Sequence, residues 1–262
     1  MTPREVSEGS AGVSLETSAL LGRLGDEVSL WKLEVTGVSD VSPSMRRLTF
    51  TAPGLAELSY QPGQDLMMAI PGPNGDAFRR RYTIRSFNPA APSIDIDIVA
   101  HGDGPGAQWA SSAVAGSRIE AIGPRGKVIV HTSADWHLFI GDDSAIPASL
   151  AMAESLSNDD NVIVLLEVDG EDDRHQPARP LSIQWLFRRG VEPASSTALI
   201  TALQEMELPE GDGHVYVAGE MGVVAQIRRH LMDRGLTKDQ ISSKPYWRAG
   251  VANASHGEPA RE

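Results

Sequence analysis

The chain has 262 residues, of which 41% are hydrophobic and 22% charged, and it carries a net charge of -12 with no cysteine. That length holds one large or two medium domains. Without cysteine there can be no intrachain disulfide, protein-held iron–sulfur cluster, cysteine nucleophile or thiolate-ligated haem, so redox chemistry would have to come from a bound organic cofactor or a metal held by other ligands. The acidic balance argues against a nucleic-acid partner, because no basic stripe is there to cover phosphates. No apolar run is long enough to span a bilayer, and no secretory leader pattern opens the sequence, so a cytoplasmic monomer is the expectation. The seven histidines (101, 131, 137, 175, 214, 230 and 256) include no His-x-x-x-His spacing, so no metal site is signalled.

Residues 1–28 read as an N-terminal extension, polar at first and then carrying Leu15, Leu20, Leu21 and Leu24 behind Ser14. From Ser29 the pattern turns to β. Trp31, Leu33 and Val35 alternate with Leu30, Lys32 and Glu34. Further strands are expected at Met45–Thr51, Leu66–Ile70, Arg80–Ser86, Ser93–Ala100, Arg118–Ile122 and Lys127–Val130. Turns such as Pro53-Gly54, Pro62-Gly63 and Asn88-Pro89 separate them. Many short strands at this rhythm predict a small closed barrel or sandwich. Near Ser133–Trp136 the pattern changes to alternating strands and helices. Strands are expected at His137–Ile140, Asn161–Val168, Leu181–Phe187, His214–Ala218 and Ser243–Trp247. Helices are expected at Pro147–Leu156, Thr197–Met206 and from Val223 to Gly235. That order predicts a parallel sheet with helices on both faces. The expected domains are therefore 29–134 and 135–262.

Three constellations, built from four segments, carry chemistry. The run Arg79-Arg80-Arg81-Tyr82-Thr83-Ile84-Arg85-Ser86-Phe87 crowds four arginines into nine residues of an acidic chain. As a single strand it would place Tyr82, Ile84 and Ser86 on one face and Arg81, Thr83 and Arg85 on the other. Guanidinium forks suit phosphate because they bind it bidentately. Next, strand Ser93–Ala100 feeds His101-Gly102-Asp103-Gly104-Pro105-Gly106-Ala107-Gln108-Trp109-Ala110, a Gly-rich turn opening a helix near Pro105. Free amides at such a start form an anion site. Third, Gly141-Asp142-Asp143-Ser144-Ala145 and Val217-Ala218-Gly219-Glu220 each end a strand, where an α/β sheet binds nucleotides.

Arg80-x-Tyr82-Thr83 with Arg85 resembles the flavin signature of the ferredoxin-reductase-like flavoproteins. Four blocks together resemble the siderophore-interacting protein family of ferric-siderophore reductases. They are Arg80–Arg85; Asp95–Val99 through His101-Gly102, Gly104-Pro105 and Trp109-Ala110; Gly141–Ala148; and Ala218-Gly219-Glu220 with Tyr246-Trp247-Arg248-Ala249-Gly250. Gly106 stands where that family often has alanine, and Pro245 where glycine is expected. Ala218-Gly219-Glu220 fits the family, whereas the broader superfamily often has Cys-Gly there.

The resemblance implies an antiparallel six-stranded FAD-binding β-barrel followed by a parallel-sheet NAD(P)H-binding α/β domain. It implies FAD held by Arg80, Ile84, Arg85, Asp97, His101, Gly102, Gly104, Pro105, Gly106, Ala107 and Trp109, with Tyr82 packed on the flavin and Thr83 near its N5 as the catalytic pair. NADH or NADPH would bind at Gly141, Asp142, Ser144, Ala145, Gly219 and Glu220, with Trp247 near the flavin. A ferric siderophore would be the electron acceptor, met by Lys244 and Arg248 with help from Arg79 or Arg81. No general base is required. Glu167 and Asp169, ending the second strand of the α/β half, lean toward NADH; Arg174, Arg179, Arg188 or Arg189 could serve a 2′-phosphate instead. Two alternatives stay open: a general flavin reductase or electron donor to a protein partner, and a non-enzymatic flavin- or siderophore-binding protein.

Overall fold

The structure, a computed structural model, describes residues 29–72, 77–100, 102 and 104–251. The expected extension at 1–28 and His101 lie outside the described residues.

The first half is a seven-stranded antiparallel sheet. Its strands are β1 (Ser29–Ser42), β2 (Met45–Thr51), β3 (Asp65–Pro71), β4 (Ala77–Thr83), β5 (Ser86–Asn88), β6 (Ser93–Val99) and β7 (Arg118–Arg125), in spatial order β4-β3-β7-β1-β2-β6-β5. Alternation sets the inward face. Trp31, Leu33 and Val35 of β1 and Ile94, Ile96 and Ile98 of β6 enter one core with Leu48, Phe50, Leu66, Met68 and Ile84. Each such side chain contributes about 2 kcal/mol through removal from water.

Two expectations are corrected here. The barrel has seven strands, not six, because the arginine segment does not run as one strand. It breaks at Ile84–Arg85, and the neighbouring amides there bond in opposite directions: Ile84 N–H to Gln64 O (3.0 Å) and Arg85 N–H to Asp95 O (2.9 Å). Those two residues thereby join the two ends of the sheet and close it, so the single alternation expected from Tyr82 to Ser86 is lost. Lys127–Val130 forms no strand. The chain leaves the sheet after Arg125, and Val128 and Val130 pack instead against the core of the second half.

The second half is a five-stranded parallel sheet. Strands β8 (Trp136–Gly141), β9 (Asn161–Val168), β10 (Ile183–Phe187), β11 (Gly213–Glu220) and β12 (Ile241–Trp247) take the order β10-β9-β8-β11-β12. Helix α1 (Pro105–Ser112) belongs to the barrel; α2 (Ile146–Ser155), α3 (Ala198–Glu205) and α4 (Met221–Asp233) flank the parallel sheet. The sheet is apolar on both faces. Phe139, Val164, Leu166 and Tyr216 meet α2 through Ile146, Leu150 and Met152. Leu138, Ile140, Val215 and Val217 meet α3 and α4 through Leu199, Leu203, Val224, Ile227 and Leu231. Pro245 is tolerated because β12 is an edge strand. The register shifts beside it, from Gly219↔Pro245 to Glu220↔Trp247, so Tyr246 is the extra residue of a bulge, a device that re-aims side chains. Among the described residues, no helix is long and apolar enough to cross a membrane.

Candidate active site

A cleft of about 490 Å³ opens between the two sheets. The barrel lends it Arg80, Arg81, Tyr82 and Thr83 from β4, Asp65 from β3, Asp97 from β6, and Gly104, Gly106 and Ala107 from the start of α1. The parallel sheet lends Asp142, Asp143 and Ser144 from the turn after β8, and Lys244, Tyr246 and Trp247 from β12. The arginine strand, the Gly-rich helix start and the turn after β8, far apart in sequence, thus face one cavity.

Several side chains are held by others. Arg81 grips the buried Asp65 bidentately, Nε to Oδ1 at 2.8 Å and Nη2 to Oδ2 at 2.9 Å. Lys244 Nζ, from the other sheet, donates to the same Oδ2 at 2.8 Å. Among the described residues, two cations thus meet on one carboxylate in the cleft. Asp97 is held by Arg47 at 2.7 and 2.8 Å. Asp142 collects four donors. Oδ1 accepts from Ser144 N (3.0 Å) and Ser144 Oγ (2.5 Å), and Oδ2 from Glu220 N (2.8 Å) and Trp247 Nε1 (2.9 Å). It therefore ties β8, β11 and β12 together and fixes the Trp247 indole. Gly219 makes this possible. Its φ is +134°, and a Cβ there would lie 2.6 Å from Asp142 Oδ2.

Tyr82 lies against Gly106, where an added Cβ would strike the tyrosine hydroxyl. Burial pushes the Tyr82 hydroxyl up to about 12. Tyr246 is likewise pushed up to about 12 by burial. Both tyrosines are neutral near pH 7. Asp143 rises to about 6 because burial outweighs the pull of Arg188.

Other expected residues take up other places. Ile84 is core, and Trp109 stacks on Phe50 with ring centroids 6.3 Å apart. Arg85, only 5% exposed, makes a two-pronged pair with Glu154 of α2 at 2.6 Å on each prong. Gly141 and Ala145 sit behind the turn whose Asp142 and Ser144 face the cleft. Glu220 caps α4, its carboxylate accepting from Gly222 N and Val223 N. Gly102 and Arg248 are exposed, and neither they nor Pro105, the first residue of α1, line the cleft. Arg79 is exposed on β4. Sequence reasoning assigned no role to Asp65, Glu154 or Tyr246. The only signal for Asp65 is an acid opening an apolar strand; Glu154 looks like any polar residue near a helix end.

The cleft fits a flavin dinucleotide. Helix α1 starts at Gly104 without a side-chain cap, so its first turn presents main-chain N–H groups beside Arg80, the arrangement a diphosphate needs.

Comparison with known proteins agrees with this geometry. Residues 134–250 match the sequence profile described as "Siderophore-interacting protein", and residues 68–128 the one described as "Siderophore-interacting FAD-binding domain". A ferric vibriobactin reductase, ViuB, of Vibrio cholerae is 32% identical over 213 residues, covering 79% of this chain and 76% of that protein. The chain belongs to the siderophore-interacting protein family. A siderophore utilization protein from T. fusca superposes with a TM-score of 0.82 at 30% identity, over 88% of this chain and 97% of that one. The siderophore-interacting protein SipS from Aeromonas hydrophila gives 0.73 at 29%, over 86% and 93%. The arrangement of the two sheets is the ferredoxin-reductase-like one.

Proposed function

We propose that this protein is an FAD-dependent reductase that takes reducing equivalents from a reduced nicotinamide dinucleotide and delivers electrons to ferric iron in a siderophore, releasing it as ferrous iron. The observation that carries the reading is the convergence of Arg80, the uncapped start of α1 and the Tyr82–Thr83 pair on one cleft bounded by the carboxyl ends of β8 and β12. Bound FAD would supply the conversion between a two-electron donor and a one-electron acceptor.

The chain's own residues would bind and orient. Arg80 and the α1 amides neutralise the diphosphate of FAD. Tyr82 would pack on the flavin, and Thr83, beside it in the cleft lining, would face its reactive edge. Asp142 fixes Trp247 at the back of the cleft. Lys244, with Arg81 behind it, offers positive charge to an anionic chelate. Oxygen and nitrogen chelators hold the harder ferric ion more tightly than the ferrous ion, so reduction loosens the iron. A ferric siderophore as acceptor is also supported by the activity named for the V. cholerae relative.

An anaerobic visible-spectrum titration tests this. Purified protein loaded with FAD should be yellow, bleach on addition of NADH or NADPH, and recover its colour when a ferric siderophore is added. Protein that takes up no FAD defeats the reading; protein that stays yellow with both dinucleotides is a binding protein instead.

A further inference from the structure

We propose that the nucleotide side of the cleft selects NADH over NADPH, because its wall is acidic: Asp143 and Glu192 line it, and Arg188 behind it is committed to Asp143 and Glu167. The proposal rests on the reading that a nicotinamide dinucleotide is the electron donor. The carboxyl end of β9 is where an adenosine ribose lies in a sheet of this order, and the 2′ position is where the two dinucleotides differ.

Arg188 is the obvious candidate for a 2′-phosphate, and the structure spends it elsewhere. It is buried, with Nη2 at 2.5 Å from Asp143 Oδ2 and Nη1 at 3.6 Å from Glu167 Oε1. Nη1 also donates to Glu167 O at 3.4 Å. Glu167 is steadied from its other side by Ser196 Oγ at 2.7 Å. Of the other arginines, Arg179 reaches the carbonyls of Ala153 and Glu154 and the side chain of Asn158. Arg174 pairs with Glu171 and lies 5.0 Å over the Phe187 ring. Arg189 is exposed and does not line the cleft.

Asp143 and Glu192 do line it. Three carboxylates against one guanidinium leave this wall negative when all are ionised. A 2′-phosphate would add charge of the same sign at close range, where partial burial weakens screening. A ribose diol brings no charge and can donate hydrogen bonds. Asp143 lines this wall, and its Oδ1 is buried with no donor among the described residues. Lys244, Arg80 and Arg81 lie with β12 and the barrel, on the flavin side.

The test uses the full chain loaded with FAD. Isothermal titration with redox-inert NAD⁺ and NADP⁺ should give at least tenfold tighter binding of NAD⁺. Bleaching rates with NADH and NADPH should follow the same order. Glu192→Lys, a change at an exposed position, should tighten NADP⁺ at least tenfold and alter NAD⁺ binding by less than threefold. Equal or tighter binding of NADP⁺, or no response of NADP⁺ to Glu192→Lys, overturns the proposal while leaving the donor reading intact. If neither dinucleotide binds or bleaches the protein, both fall together.

Discussion

Arg85 and Glu154 form a two-pronged ion pair across the boundary between the two sheets, 2.6 Å on each prong, from the corner that closes the barrel to the helix after β8. Glu154 Oε1 also accepts from Ala178 N at 2.7 Å, and Arg85 Nε lies 4.0 Å from Asp97. The guanidinium expected to serve a cofactor thus joins the two halves. Removing one partner of a buried pair strands the other charge, at a cost of about 3–5 kcal/mol. Glu154→Ala should lower unfolding stability by that order, and Arg85→Met with Glu154→Met should recover part of it. Chemical denaturation with a double-mutant cycle checks this; additive losses would mean that the pair carries no coupling.

Gly106→Ala tests the contact with Tyr82. The new Cβ would meet the tyrosine hydroxyl, so Tyr82 must move from its place in the cleft. FAD affinity should fall about tenfold, about 1.4 kcal/mol, with a smaller change in the unfolding midpoint. Adding Tyr82→Phe removes the struck atom and should restore much of the binding. Fluorescence titration of FAD reports the outcome, and Gly106→Ala binding like the parent would count against the contact.

Lys244 and Arg248 should separate. Lys244 faces the cleft on Asp65, whereas Arg248 is exposed outside the lining. Lys244→Ala should raise KM for an anionic ferric chelate several-fold and leave anaerobic reduction of the flavin unchanged; Arg248→Ala should have the smaller effect. Steady-state kinetics at fixed dinucleotide decide it. Equal effects would move the acceptor toward the exposed end of β12.

His175 should make stability fall with pH. Burial, opposed by Asp97, holds its imidazole down at about 4, and its Nε2 has no hydrogen-bond partner among the described residues. The unfolded chain protonates it near 6.5, so the stability of the neutral ring is fully present above that pH. It is lost as pH falls from about 6.5 to about 4, by roughly 3 kcal/mol. Asp143 contributes with the opposite sign in that window, because its carboxyl is raised to about 6. Comparison with His175→Gln isolates the histidine: thermal unfolding of the variant should lose less stability across this range than the parent, and parallel curves would remove the assignment.

Much of this architecture was legible in the chain. Ile94, Ile96 and Ile98 marked a barrel strand because period-two burial leaves its trace in composition, and all three are buried. Asn161–Val168 read as a buried parallel strand and is β9. The arginine strand, the Gly-rich helix start and the turn after β8 were each visible, and the structure brings Arg80, Tyr82, Thr83, Gly104, Gly106, Ala107, Asp142 and Ser144 to one cleft. The break at Ile84–Arg85 was not visible, because two tertiary hydrogen bonds make it and no turn residue announces it. The partners of Arg85, Lys244 and Arg188 were hidden for a similar reason. A charge pattern shows that a cation is present but not which distant carboxylate holds it, and Glu154 is 69 residues from Arg85.

The Lys244–Asp65–Arg81 cluster also bears on how an anionic guest arrives. The chain as a whole carries -12, while in this crevice, among the described residues, two cations meet on one carboxylate. At physiological ionic strength electrostatic reach is about 8 Å. From afar such a guest meets mainly repulsion, and feels the cationic spot only once it is nearly seated. Added salt would screen the outer field before the inner one, so moderate salt should speed capture of an anion here, the reverse of the steering seen in enzymes with an attractive outer field.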